Sequence, residues 1–224
     1  LTLVLISISS QSIASYSQSD ISSDGVVVTQ HYLATEIGEN ILAQGGNAYD
    51  AAIAVGFALA VVLPRAGNIG GGGFMVIYDK EANDTYAIDY REKAPAASFR
   101  DMYLDEIGEF DILKSTFGYS AIGVPGTVHG FWSVHQRFGS LPWADLIQPS
   151  IMLAERGFVM SDYMAETLSN YFEKMSYYDE TQNIFLKNYP NHRDSRLIQN
   201  DLAKTLKRIQ KNGLKGFYSG ETAQ

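Results

Sequence analysis

A helix made almost wholly of small and apolar residues, stopped by a proline and followed by a run of glycines, constrains this chain more than any other feature. Ala48 to Leu63 reads AYDAAIAVGFALAVVL, with Asn47 placed to cap it and Pro64 to end it. A helix that is apolar nearly all round has no solvent face, so it is buried, and its small residues let neighbours approach closely. It is shorter than the roughly 18 or more apolar residues needed to span a bilayer. Behind it come Gly67-Asn68-Ile69-Gly70-Gly71-Gly72-Gly73 and then a strand, Phe74 to Asp79. A phosphate-binding loop needs the order strand–glycines–helix, so that a helix N-terminus faces the anion. Here the order is reversed, no Lys follows the last glycine, and no GxGxxG register fits positions 67–73. The glycines are better suited to letting backbone pass close to another segment or to a ligand, in conformations closed to other residues.

The rest of the pattern extends this centre. Gly25 to Thr29 is a β-branched run that predicts a strand. His31 to Gln44 carries Leu33, Ile37, Ile41 and Leu42 on one face and predicts a helix closed by Gly45-Gly46. Phe74–Asp79 and Thr85–Tyr90, joined by a turn over 81–84, predict a hairpin. Beyond Arg91 the chain becomes mostly helical, with helices expected over 126–138, 142–156, 161–175 and 200–212 and a long loop over 177–196. The stretch Lys204 to Lys215 is spaced as the solvated basic face of its helix. Strand, two helices, two strands and then helices predict an α/β layer whose sheet is completed by strands outside this chain.

Hydrophobic residues make up 46% of the 224 and charged residues 19%, the composition of a folded globular protein with a sizeable core. The net charge of −8 argues against a nucleic-acid footprint. There are no cysteines, which excludes disulfides, thiolate metal sites and a Cys nucleophile. Leu1 to Ile8 is apolar, Ser9 to Asp20 is rich in Ser and Gln, and Ser12-Ile13-Ala14 is a small-x-small pattern. We read residues 1–14 as the remnant of a secretory signal peptide and expect a periplasmic or secreted protein; the competing reading is a buried N-terminal strand. Residues 217–224 end where another helix is expected to begin, and both ends read as cut.

Few residues offer chemistry. His31, His129, His135 and His192 have no metal-ligand spacing, and His129 and His135, six apart, do not face each other on a helix. Thr127-Val128-His129 is a weak candidate for an N-terminal nucleophile, but Pro125-Gly126 before it makes Thr127 a helix-start residue. Arg91 stands at the end of the second hairpin strand. It can offer a planar fork to a carboxylate through two charge-assisted hydrogen bonds, or it can pair with Asp89 or Glu92 as a structural or solvated side chain.

Gly45-Gly46-Asn47-Ala48-Tyr49-Asp50-Ala51-Ala52, Asn68 through Phe74, Asp89-Tyr90-Arg91-Glu92-Lys93-Ala94-Pro95, Val124-Pro125-Gly126-Thr127-Val128 and Gln148-Pro149 occur in one order. Together, from about Gly25 onward, they resemble the start of the large subunit of the γ-glutamyltranspeptidase family. The resemblance implies a four-layer αββα N-terminal-nucleophile hydrolase fold, incomplete here, with residues 15–224 as a partial large subunit. It implies a precursor that cleaves itself, and a nucleophilic Thr at the new N-terminus of a small subunit outside this chain. It further implies γ-glutamyl transfer or hydrolysis on glutathione and related amides, with water or acceptor amino acids as second substrate and no metal or organic cofactor. Arg91 matches the family's substrate-carboxylate ligand, no catalytic residue lies in this chain, and residues 15–224 alone are expected to be poorly soluble or partly unfolded, and inert. The alternatives are an acylase for glutaryl cephalosporins, a poly-γ-glutamate-processing relative, or a non-catalytic periplasmic protein of the same fold.

Overall fold

The computed structural model describes residues 25–188 and 194–224; the signal-peptide reading of residues 1–14 and His192 lie outside the described residues. The chain folds around the apolar helix. Helix α1, Tyr32–Ala43, starts at His31, whose ring Nδ1 accepts a hydrogen bond from Leu33 N at 3.3 Å. It ends where Gly45 takes a positive φ of 88° and Gly46 N donates to Ile41 O at 3.0 Å. Helix α2, Ala48–Val62, begins with a reciprocal capping box: Asn47 accepts from Tyr49 N and Asp50 N, and Asp50 accepts from Asn47 N. Ala51, Ile53, Ala54, Phe57, Ala58, Ala60, Val61 and Val62 are all buried, as a helix without a polar face requires.

Strands β1, Phe74–Asp79, and β2, Asp84–Asp89, form an antiparallel hairpin with Phe74 opposite Asp89 and Asp79 opposite Asp84. Asp79 Oδ1 accepts from Glu81 N and Ala82 N, which shapes the turn. Ile77 faces the core, while Phe74, Val76 and Tyr78 alternate onto an exposed face. A short helix α3, Ile112–Thr116, lies in the excursion that follows. Helices α4, Thr127–Phe138, and α5, Trp143–Arg156, then pack on α2. Strand β3, Phe158–Val159, pairs antiparallel with β4, Arg196–Leu197. Between these two strands lie α6, Asp162–Asn170, α7, Phe172–Met175, α8, Asp179–Thr181, and a π-turn over Gln182–Leu186. Helix α9, Asn200–Asn212, buries Ala203, Leu206 and Ile209 against α5, and α10, Lys215–Tyr218, follows.

The core is held by shape and by a few buried polar contacts. Phe57 packs edge-on against Phe131 at 5.2 Å and Trp143 at 5.6 Å. Trp143 Nε1 donates to Ile209 O at 3.1 Å, and the buried Gln199 Nε2 donates to Val61 O at 2.8 Å, tying α9 to α5 and α2. The basic stretch is the outer face of α9: Lys204 pairs with Asp201, Lys207 with Glu155 and Arg208 with Glu221.

Three expectations are corrected. Gly25–Thr29 forms no strand, because it has no ladder partner among the described residues; Val26 and Val28 are exposed while Val27 packs on Gly38. β-branching supplies a preference, and a strand also needs a neighbour to pair with. The helix over 161–175 breaks at Tyr171, whose φ and ψ of −103° and 10° leave the helical region. The loop over 177–196 contains α8 and the π-turn, which bury Leu186.

Candidate functional site: the strand end at Arg91

Arg91 lies just past β2, and the glycines hold the backbone there. Tyr90 N donates to Gly73 O at 3.0 Å and Tyr90 O accepts from Gly73 N at 3.4 Å, which extends the hairpin ladder by one pair. Lys93 and Val124 then exchange N–H···O bonds of 3.0 and 2.7 Å. Arg91 is therefore fixed between two ladder points. A β-carbon on Gly72 would lie 2.5 Å from Tyr90 O and 2.8 Å from Arg91 Cα, and one on Gly126 would lie 1.9 Å from Tyr90 O. The close passage expected of the glycine run is real at Gly67 and Gly72. A β-carbon at Gly70 would meet nothing within 4 Å among the described residues, and none of the glycines from 67 to 73 has a positive φ. At these positions the constraint is space and not the left-handed backbone region.

The guanidinium itself is largely free. The Arg91 side chain is 65% exposed, its Nε stands 3.7 Å from Glu92 Oε2, and Asp89 Oδ1 is taken by the backbone N–H of Arg91 at 3.0 Å. The ring of Phe74 lies 6.0 Å below the guanidinium carbon. An exposed pair of this kind is worth at most about 1 kcal/mol, so it leaves the planar fork available to an incoming carboxylate.

The neighbouring helix start is already satisfied from within. Gly126 N and Thr127 N both donate to Gly71 O, at 2.7 and 3.1 Å. Tyr218 Oη donates to Pro125 O at 2.7 Å and accepts from His129 N at 3.3 Å. Thr127 is buried at the first turn of α4 and its hydroxyl reaches Asn68 Oδ1 at 3.4 Å, the geometry of a helix-start residue. His135 Nε2 is hydrogen-bonded with Leu141 O at 2.9 Å, and His129 sits beside Ser133. Among the described residues no group of three or more His, Asp or Glu could hold a metal ion.

Two clefts lie away from Arg91. One, of about 570 Å³, runs between α1 and α5. The other, of about 790 Å³, includes Arg65 stacked over Tyr163 at 5.1 Å. Of the two residues that hold Tyr90 from the side of α4, Gly126 stands in a motif quoted from the sequence only as the residue before a helix start, and Gly130 was not noticed. Their spacing of four places both on one helix face, which is the signal that would have found them.

The gamma-glutamyltranspeptidase family model matches residues 34–224. The glutathione hydrolase proenzyme of Bacillus subtilis (strain 168) is 45% identical over 211 residues, covering 93% of this chain and 36% of the relative. The chain therefore spans little more than a third of that relative's length. The crystal structure of Helicobacter pylori gamma-glutamyltranspeptidase superposes with a TM-score of 0.87 at 44% identity, over 92% of this chain and 59% of that one. That of the transpeptidase enzyme CapD from Bacillus anthracis superposes with a TM-score of 0.73 at 39% identity, over 89% and 63%. The mixed helix–strand architecture is that of these solved structures, and the chain belongs to the gamma-glutamyltranspeptidase family.

Proposed function

We propose that the protein containing this chain is a γ-glutamyl transferase and hydrolase acting on glutathione and other γ-glutamyl amides. In this reading residues 15–224 are a partial large subunit within a four-layer αββα N-terminal-nucleophile fold. A Thr exposed by self-cleavage of the precursor, outside these residues, attacks the γ-amide carbonyl. The amine leaves with a proton, and water or an acceptor amine releases the glutamyl group from the resulting ester. Arg91 holds the α-carboxylate of the glutamyl moiety through its two-pronged guanidinium. The observation that carries this is the position of Arg91 in the D-x-R-E-K-A-P segment: a backbone clamped between two ladder points and a side chain free to bind. Residues 1–14 support export to the periplasm or beyond, and the partner expected after processing is the chain's own small subunit.

The experiment is to express the complete reading frame and follow both subunit processing and turnover of γ-glutamyl-p-nitroanilide. Two processed subunits with turnover support the reading; an unprocessed, inert protein favours a non-catalytic member of the same fold. The likeness to a solved transpeptidase, CapD, supports transfer beside hydrolysis; the alternative donor for that activity is a longer γ-linked glutamate polymer. Faster turnover of such a polymer than of glutathione would select it.

A further inference from the structure

We infer that Tyr90 is a positioning residue for Arg91, its ring wedged against the first turns of α4 so that the guanidinium points at the substrate carboxylate; this rests on the carboxylate-binding reading of Arg91. Among the described residues the guanidinium has no strong partner: its ion pair with Glu92 is long at 3.7 Å and exposed. Its direction is therefore set by where its backbone is held, and that is the work of the preceding residue.

Tyr90 is half-buried and held by its backbone, its hydroxyl and its ring. Its backbone closes the ladder with Gly73, and its hydroxyl donates to Phe74 O at 3.4 Å. Its ring packs edge-on to Phe131 at 5.8 Å. A β-carbon at Gly130 would come 2.4 Å from Tyr90 Cγ and 2.5 Å from its Cβ, and one at Gly73 would lie 3.0 Å from the ring edge. Gly126, one helical turn before Gly130, meets the carbonyls of Tyr90 and Arg91 themselves. Helix α4 and the glycine run thus form two walls, with the Tyr90 ring filling the slot between them. The α4 wall is anchored by Gly71 O and Tyr218. Adding a methyl group to that wall, or removing the ring from the slot, shifts the backbone from which Arg91 projects. A fork that must meet both oxygens of a carboxylate does not tolerate such a shift.

The test uses the full-length, self-processed protein and two donors, one with a free α-carboxylate and one with that group amidated. The quantity read is the ratio of kcat/KM for acid over amide. Gly130→Ala and Tyr90→Leu should each lower that ratio by about tenfold while subunit processing proceeds, since a misplacement near 1 Å costs an oriented contact up to about 100-fold. Tyr90→Phe, which keeps the ring, should hold the ratio within about twofold of wild type. Arg91→Ala is run alongside. If Arg91→Ala abolishes the preference for the acid but Gly130→Ala and Tyr90→Leu leave it at the wild-type value, Tyr90 has no positioning role. If Arg91→Ala itself leaves the preference intact, it is the carboxylate reading of Arg91 that fails. Should Gly130→Ala not mature, Tyr90→Leu, which replaces the ring by a smaller side chain, decides the matter by the same ratio.

Discussion

Asp50 and Ser140, ninety residues apart in sequence, are joined by the Ser140 backbone N–H and hydroxyl, which both donate to the buried Asp50 carboxylate. Leu141 N and Asn47 N donate to the same group. One carboxylate thus closes the capping box of α2 and fastens the turn between α4 and α5 to it. Charge-assisted bonds from several N–H donors are how a buried carboxylate is accommodated without a cationic partner.

Asp50→Ala is expected to destabilise the protein by about 2 kcal/mol, because it leaves several partly buried N–H groups and the Ser140 hydroxyl without their acceptor. Asp50→Asn keeps one acceptor oxygen and should cost less. Thermal midpoints of the processed full-length protein, compared in that order, check this; equal midpoints for wild type and Asp50→Ala would refute it.

The glycine run contains a sharp internal contrast. Gly72→Ala would drive a methyl group into the Tyr90 carbonyl and the Arg91 backbone, whereas Gly70→Ala points into open space. We expect Gly72→Ala to impair folding or processing and Gly70→Ala to stay within about 0.5 kcal/mol of wild type. The yield of processed subunits distinguishes them, and indistinguishable yields would remove the space argument.

His31 supplies a pH dependence. Burial holds its imidazole below the ordinary value of 6.5, and its Nδ1 must be unprotonated to accept from Leu33 N. The folded state thus favours neutral His31, while the unfolded chain takes up a proton near 6.5. Its contribution to stability is full above that pH and is lost as pH falls through the window below it. His31→Asn retains a cap acceptor without a proton to gain, so its stability should vary less with pH across that window. Parallel denaturation curves with identical slopes against pH would contradict the assignment.

In the core, Phe57 is fully buried between Phe131 and Trp143. Phe57→Ala should cost about 3–5 kcal/mol, the range for opening a cavity of that size in a core. A loss below about 1 kcal/mol in chemical denaturation would mean that α2 repacks freely and is not the centre of the fold.

The long helices and the hairpin were legible in the sequence because each carries a period and a punctuation mark. Asn47 before α2, Pro64 after it and Gly45 after α1 mark boundaries to within a residue or two. The β3–β4 pair was not legible, since two-residue strands carry no alternation, and the break at Tyr171 has no breaker residue to announce it. At the candidate site, the place of Arg91 just past a strand was legible from the hairpin pattern, and the D-x-R-E motif made it the proposed ligand. The slot around Tyr90 was not, because contact between Gly130 and Tyr90 is a tertiary fact that a single sequence does not encode locally. The glycine run lay between these cases: close passage was foreseen, but which glycines meet backbone depends on the path of β2 and α4.

If Arg91 binds the α-carboxylate of a γ-glutamyl donor, the effect is read from kcat/KM of the Arg91→Ala protein on glutathione and on the same donor with its α-carboxylate amidated. Losing a charge-assisted two-point contact of roughly 1.5–3 kcal/mol should lower kcat/KM for the acid by about 10- to 100-fold, mainly through KM, with subunit processing intact. The amide, which offers nothing for the fork to hold, should change little. Arg91→Lys should recover only part of the loss on the acid, because an ammonium keeps the charge without the planar geometry. An equal loss on acid and amide, accompanied by reduced stability, would make Arg91 a structural partner of Glu92 and remove it from the substrate site.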